Sequence, residues 1–374
     1  MIRTITLMRD MMIEYENLRK SNAPFFDDYR KAFASFLESE RYVLGQSVQD
    51  FEKQFAAYCG VKHCVGVASG LDALTLSLKA LNLKENSEVL VPSNTYIASI
   101  ISILQAGLKP VLVEPDIKTY NIDPCLIEKK ITKKTSAIMP VHLYGKLCDM
   151  EQIMELAKKH SLAVVEDCAQ AHGAMQGKKR AGSFGTINAF SFYPTKNLGA
   201  LGEAGAIMTN DDVLAEKARM LRNYGSKVKY YNELVGYNSR LDELQAAFLL
   251  QKLKKLDDIN AHKRMLAKIY LEKLSNDYAK PIVEQGFFDV YHIFNIRHKN
   301  RDELRAHMLQ DGVKTEVHYP VSPNKQVAMK GIIDKCKCPI SEEIHATTLS
   351  IPISYFHKKE DIMKVIESAN RFLG

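Results

Sequence analysis

Lys196 lies in FSFYPTKNLGALGEAGA, Phe190 to Ala206, between a proline-containing turn and a run of small residues. Three aromatics and three glycines surround that single lysine. A lysine that only solvates a surface needs no such setting. An amine that must reach a reactive carbon inside a pocket does. To form a Schiff base it must also be partly unprotonated, a state lysine reaches when buried. Ser191, five residues earlier, offers a hydroxyl to a phosphate. Gly199, Gly202 and Gly205 would let a bulky ligand lie against the backbone. The plainer alternative is a buried lysine paired with an acid.

Two further stretches join it. Asp167 lies in AVVEDCAQAHG, Ala163 to Gly173, behind four apolar residues and Glu166. It therefore falls at the end of an expected central strand. A carboxylate there is costly unless something compensates it. A pyridinium nitrogen would do so, and so would a role as cap for the next segment. Ser69-Gly70-Leu71-Asp72 stands at an expected strand-to-helix junction. Backbone N–H groups at a helix N-terminus bind phosphate, and glycine lets the anion approach. Serine and aspartate are also ordinary helix caps, and this stretch alone favours the cap. The order of phosphate turn, strand-end aspartate and lysine is what points to chemistry.

The elements that must position these residues alternate along the chain. Short apolar runs at 64–68, 88–91, 110–113, 135–140 and 162–165 read as strands. Leu71, Leu74, Leu78 and Leu81 recur at helical spacing, and 96–104 and 150–160 read as helices. Strand–helix alternation predicts an α/β fold, a mostly parallel central sheet with helices on both faces. Ligands of such sheets lie at the carboxyl ends of the strands. After about residue 256 the character changes. A charged helix over 257–274 leads to strands near 292–298 and 350–353 around a helix at 302–310. This predicts a large domain over 1–255 and a smaller C-terminal α+β domain over 256–374. The first forty residues show no clear strand and are expected to fold back onto the second domain.

Composition excludes several classes. The 374 residues are 46% hydrophobic and 25% charged, which is ordinary for a globular protein. The formal net charge of +7 is dispersed along the chain, so no basic face for nucleic acid is expected. Seven cysteines at irregular spacing argue against a disulfide framework and for a reducing, cytoplasmic compartment. Cys336-Lys337-Cys338 is too close-spaced and solitary for zinc, and no metal is expected. Arg3, Arg9, Asp10, Glu14 and Glu16 argue against a leader peptide. No apolar stretch reaches the roughly 20 residues that span a bilayer. No G-x-G-x-x-G follows the first strand, which argues against a dinucleotide-binding oxidoreductase.

Nearly the whole chain closely resembles the sugar aminotransferases of the DegT/DnrJ/EryC1/StrS family, fold type I enzymes dependent on pyridoxal 5′-phosphate (PLP). The resemblance rests on RYVLGQSVQDFE, SGLDAL, NTYIAS, MPVHLYG, EDCAQAHGA, SFYPTKNLGALGEAGA, GYNSRLDELQAA and VHYP, in that order. It implies that Lys196 carries the Schiff base and that Asp167 pairs with the pyridine nitrogen. Gln170 would meet the ring hydroxyl oxygen and Tyr96 would stack on the ring. Gly70, Leu71 and Ser191 would hold the phosphate, with Leu71 where many members have threonine. Asn238 would reach that phosphate from the neighbouring subunit of a homodimer with shared active sites. His318 and Tyr319 match positions near the nucleotide-sugar. A helix near 241–253 is expected close to the subunit interface, although its apolar residues would also suit internal packing.

The resemblance further implies transfer of an amino group from L-glutamate to a nucleotide-linked keto-sugar. The product would be an amino sugar for lipopolysaccharide, S-layer or another surface glycan. KNLGALG after the lysine is most like enzymes that aminate C-3 of dTDP-3-keto-6-deoxyhexoses. Those aminating C-4 more often read KTITTGEGG. A 4-aminotransferase is the alternative, and a non-catalytic PLP-binding regulator is a remoter one.

Overall fold

The computed structural model describes residues 12–373. Arg3, Arg9 and Asp10 lie outside the described residues. A seven-stranded sheet is built from β1 (His63–Val67), β2 (Glu88–Pro92), β3 (Lys109–Val113), β4 (Thr135–Ile138), β5 (Ala163–Asp167), β6 (Ile187–Ser191) and β7 (Gly205–Thr209). Its order is β1-β7-β6-β5-β4-β2-β3. β3, β2, β4, β5 and β6 pair in parallel. β7 is antiparallel to both neighbours.

These strands form because their residues suit a sheet buried on both faces. Leu90, Ile138 and Val164 point into one core, while Val89, Ala137 and Val165 point into the other. Such doubly buried strands read as continuous apolar runs rather than alternating ones. The helices Gly70–Ala80, Ile97–Gln105 and Met150–His160 carry the chain between parallel strands. Ser69 and Asp149 start two of them by accepting the N–H groups of Asp72 (3.1 Å) and Gln152 (3.2 Å).

β6 and β7 were not expected as strands. No helix separates them, only the loop that holds Lys196, so the chain must return antiparallel. Gly199 and Gly205 serve that return rather than a ligand, contrary to expectation. A methyl at Gly205 would lie 2.3 Å from the Ser69 carbonyl oxygen, and one at Gly199 would lie 2.3 Å from the Pro194 oxygen. Gly202 faces the Gln245 side chain. At Gly199 and Gly205 backbone packs on backbone, and β7 is thereby pressed against the phosphate turn.

Much of the chain after 256 forms a separate core, while Val290 joins one core of the sheet and Met329, Ile333 and Cys338 join the other. The strands Phe294–Arg297 and Thr348–Ile351 pair antiparallel, against the helices Leu256–Lys273, Arg301–Gln310 and Lys359–Arg371. The start of the N-terminal segment folds back onto this part. Ile13 joins its core, and the Ile13 backbone bridges Gly312 and Lys314 at 2.8 and 2.9 Å. Tyr29, further along that segment, packs instead on Phe248 of the helix Glu243–Leu253. The helix Glu243–Leu253 uses Ala246, Leu249 and Leu253 in the chain's own core. Its apolar spacing is therefore accounted for by internal packing.

Gly205→Ala should lower stability by about 1–3 kcal/mol, the usual effect of forcing an extra methyl into a packed site. Urea unfolding would show this as a lower midpoint at unchanged slope. An unshifted midpoint would mean that β7 and the phosphate turn can separate freely.

Candidate active site

Asp167 ends β5, where it is buried. Its Oδ2 accepts the Ser99 hydroxyl at 2.7 Å and its Oδ1 accepts the Ala169 N–H at 3.1 Å. Burial pushes its carboxyl up from the ordinary value, while these hydrogen bonds and Lys196 pull it back. Each oxygen accepts a single hydrogen bond, so lone pairs remain for a further donor.

Lys196 follows the turn Tyr193–Lys196, closed by its own N–H on the Tyr193 carbonyl at 2.8 Å. Burial holds its ammonium down to about 8, against the opposing pull of Asp167. No acid is ion-paired with it among the described residues, which removes the paired-lysine alternative. The turn is held from beneath. Asn197 donates to Asn260 at 2.8 Å and to the Val290 carbonyl at 3.1 Å. Lys263 donates to Asn197 at 3.1 Å and to the His292 carbonyl at 3.0 Å.

Both groups face a cleft of about 480 Å³. At one end Gly70 and Leu71 open the helix Gly70–Ala80 beside Ser191. A methyl at Gly70 would lie 2.4 Å from the Ser191 Cβ. Ser69 is a helix cap, as the plainer reading had it, and the same turn bares its N–H groups to the cleft. Tyr96 lines the cleft with its ring centroid 5.1 Å from that of Tyr319. Gln170 is oriented at both ends, accepting the Tyr144 N–H at 2.6 Å and donating to the Tyr319 hydroxyl at 3.0 Å. His318 is bonded to Ser350 at 2.9 Å, and burial with the nearby Lys196 lowers its ring to about 4. It is therefore neutral at pH 7.

Asn238 alone among the expected site residues lies outside its own chain's cleft. It is exposed, bridged to Asn223. The next residue anchors that loop: Ser239 donates to Asp72 at 2.7 Å and accepts the Ala68 N–H at 3.2 Å. Sequence reasoning missed three residues. Thr95 and Ser99 stood in the quoted NTYIAS, as hydroxyls four apart in an apolar segment. His292 lines the cleft with a buried, unpartnered Nδ1 among the described residues, and its sequence setting held no signal.

Residues 27–370 match the DegT/DnrJ/EryC1/StrS aminotransferase family. The chain belongs to that family. It is similar to the dTDP-3-amino-3,6-dideoxy-alpha-D-galactopyranose transaminase of Aneurinibacillus thermoaerophilus, 51% identical over 96% of this chain and 99% of that one. It is also similar to the dTDP-3-amino-3,4,6-trideoxy-alpha-D-glucose transaminase of Streptomyces venezuelae, 43% identical over 97% and 95%. The crystal structure of S. venezuelae DesV with a ketimine intermediate superposes with a TM-score of 0.94, at 42% identity over 96% and 98%. The protein is a fold type I transaminase, and its cofactor is PLP. Among its described residues no helix is long and apolar enough to cross a membrane.

The cleft fits that cofactor. A helix N-terminus with a glycine and a serine hydroxyl suits a phosphate. An amine without an acid partner suits a carbonyl. A buried carboxylate with a free lone pair suits a protonated ring nitrogen.

Because burial lowers Lys196 to about 8, its free-amine fraction rises as pH increases through that value. At pH 7 about one molecule in ten would carry the free amine, against about one in a few thousand for an ordinary lysine. The rate at which cofactor-free protein takes up PLP should therefore level off above about pH 8. A rate still climbing about tenfold between pH 8 and 9 would show an ordinary lysine.

Proposed function

We propose that this enzyme transfers the amino group of L-glutamate to C-3 of a dTDP-linked 3-keto-6-deoxyhexose. The observation that carries the reading is the end-to-end 51% identity to a relative named for a dTDP-3-amino-3,6-dideoxy sugar. KNLGALG after Lys196 points the same way. The product is an amino sugar for surface glycan assembly. With all seven cysteines free, we place the reaction in the reducing cytoplasm.

Bound PLP supplies an electron sink for the carbon that exchanges its amino group. The chain's residues do the rest. Asp167 accepts the ring N–H and, by staying ionised, keeps that nitrogen protonated. Gly70, Leu71 and Ser191 hold the phosphate. Gln170 donates its remaining N–H to the ring oxygen, and Tyr96 covers the ring face. Lys196, as a free amine, would carry a proton between the reacting carbons. His318 and Tyr319, from the C-terminal domain over 256–374, line the sugar side with uncharged groups. Lys196→Ala should lose nearly all turnover, and Lys196→Arg should not restore it.

We also propose a homodimer in which Asn238 completes the partner's phosphate site. Its exposure outside its own cleft supports this, as do exposed Tyr42, Val43, Leu201 and Tyr237. Asn238→Asp should weaken PLP binding by setting a negative charge against the phosphate. Mixed with Lys196→Ala after subunit exchange, it should recover part of the activity, since one site per hybrid is intact. Exchanged mutants that never complement would overturn the shared site.

The regiochemistry is tested by incubating the enzyme with glutamate and a panel of 3-keto and 4-keto nucleotide sugars, then locating the new amine by NMR. An amine at C-3 is expected. One at C-4 would replace the reading with its alternative, and no turnover on any sugar would overturn both.

A further inference from the structure

Asp167 is not held by backbone alone. Ser99 lies in the first turn of the helix Ile97–Gln105, fully buried, with its Oγ 2.7 Å from Asp167 Oδ2. Thr95 Oγ1 lies 2.7 Å from that same Ser99 Oγ. Thr95 is buried too, and it borders the cleft beside Tyr96. Each hydroxyl has one proton. An ionised carboxylate only accepts, so the Ser99 proton must go to Asp167. Ser99 then has only lone pairs to offer, so the Thr95 proton must go to Ser99. The directions follow from the donor count alone.

We propose that Thr95 and Ser99 form a two-hydroxyl chain, Thr95 donating to Ser99 and Ser99 to Asp167, that orients the carboxylate and favours its ionised form. Ser99 is a positioning residue, acting on the cofactor through Asp167. The inference rests on the reading that Asp167 faces the ring nitrogen. The chain can run the other way: a protonated Asp167 donates to Ser99, and Ser99 to Thr95. The direction therefore follows the charge of Asp167, and a donor at the ring nitrogen selects the ionised one. The other charges near Asp167 do not replace this role. Lys196 faces it across the cleft, and His142 acts from behind, paired with Glu166 at 2.9 Å. Neither hydrogen-bonds its oxygens.

A hydroxyl helps a charged carboxylate more than a neutral one, so its loss should be felt where the ring nitrogen bears a proton. The test compares binding of PLP with that of its analogue bearing carbon in place of the ring nitrogen, by fluorescence titration of cofactor-free protein. Wild type should prefer PLP. Ser99→Ala should lose about tenfold or more in PLP affinity, as for a hydrogen bond to a charged group, and almost nothing for the analogue. Ser99→Thr keeps the hydroxyl and should keep the preference. Thr95→Val should weaken PLP binding less, and not at all when added to Ser99→Ala. Equal losses for both ligands would reduce Ser99 to a packing residue and overturn the proposal. So would an unchanged preference in Ser99→Ala. If Ser99→Ala does not fold, Thr95→Val decides, since equal effects on both ligands overturn the chain. A wild type without preference would instead overturn the placement of Asp167 at the ring nitrogen, and the inference with it.

Discussion

A carboxylate buried at the carboxyl end of a central strand constrains much of this architecture. Asp167 is 5% exposed, so water cannot solvate its charge. Isolated charge in such a place is strongly unfavourable, and the group responds by holding its proton. Ionisation must then be supported by what surrounds it. Here that support is a hydroxyl from one helix, an N–H from the next turn and an ammonium across the cleft. Each comes from a different segment, and the parallel sheet brings them to one point.

The opposing amine obeys the same physics with the sign reversed. Burial disfavours the charged lysine, which suits an atom that must react as a free base. Its loop tolerates little movement. Asn197, Asn260 and Lys263 bond it from beneath, and Gly199 folds it back on Pro194. The antiparallel β7 then closes on Ser69. The phosphate turn, the lysine loop and the sheet are thus one packed unit, and a methyl at Gly70 or Gly205 would wedge them apart.

Much of this was legible in the sequence, because apolar runs and helical spacing report burial directly. β1 to β5 and the linking helices fall within a few residues of their expected places. β6 and β7 were not legible, since a short strand flanked by glycines looks like a loop until its partner is known. The loop glycines were misread for the same reason: glycine signals close approach but not what approaches. Lys196, Asp167 and the Ser69-Gly70 turn stood out because a charge or a bared backbone needs a reason to be buried. Ser99 did not, because a serine inside an apolar helix commonly bonds its own backbone. Only the folded chain shows it facing a strand 68 residues away.

The account stands on the ring nitrogen of the bound cofactor being protonated by virtue of Asp167. Nitrogen-15 NMR of the holoenzyme carrying ring-labelled PLP measures that proton directly. The wild type should show the shift of a protonated pyridine nitrogen at neutral pH, and Asp167→Asn that of an unprotonated one. An unprotonated nitrogen in the wild type, or an unchanged signal in Asp167→Asn, would contradict the account.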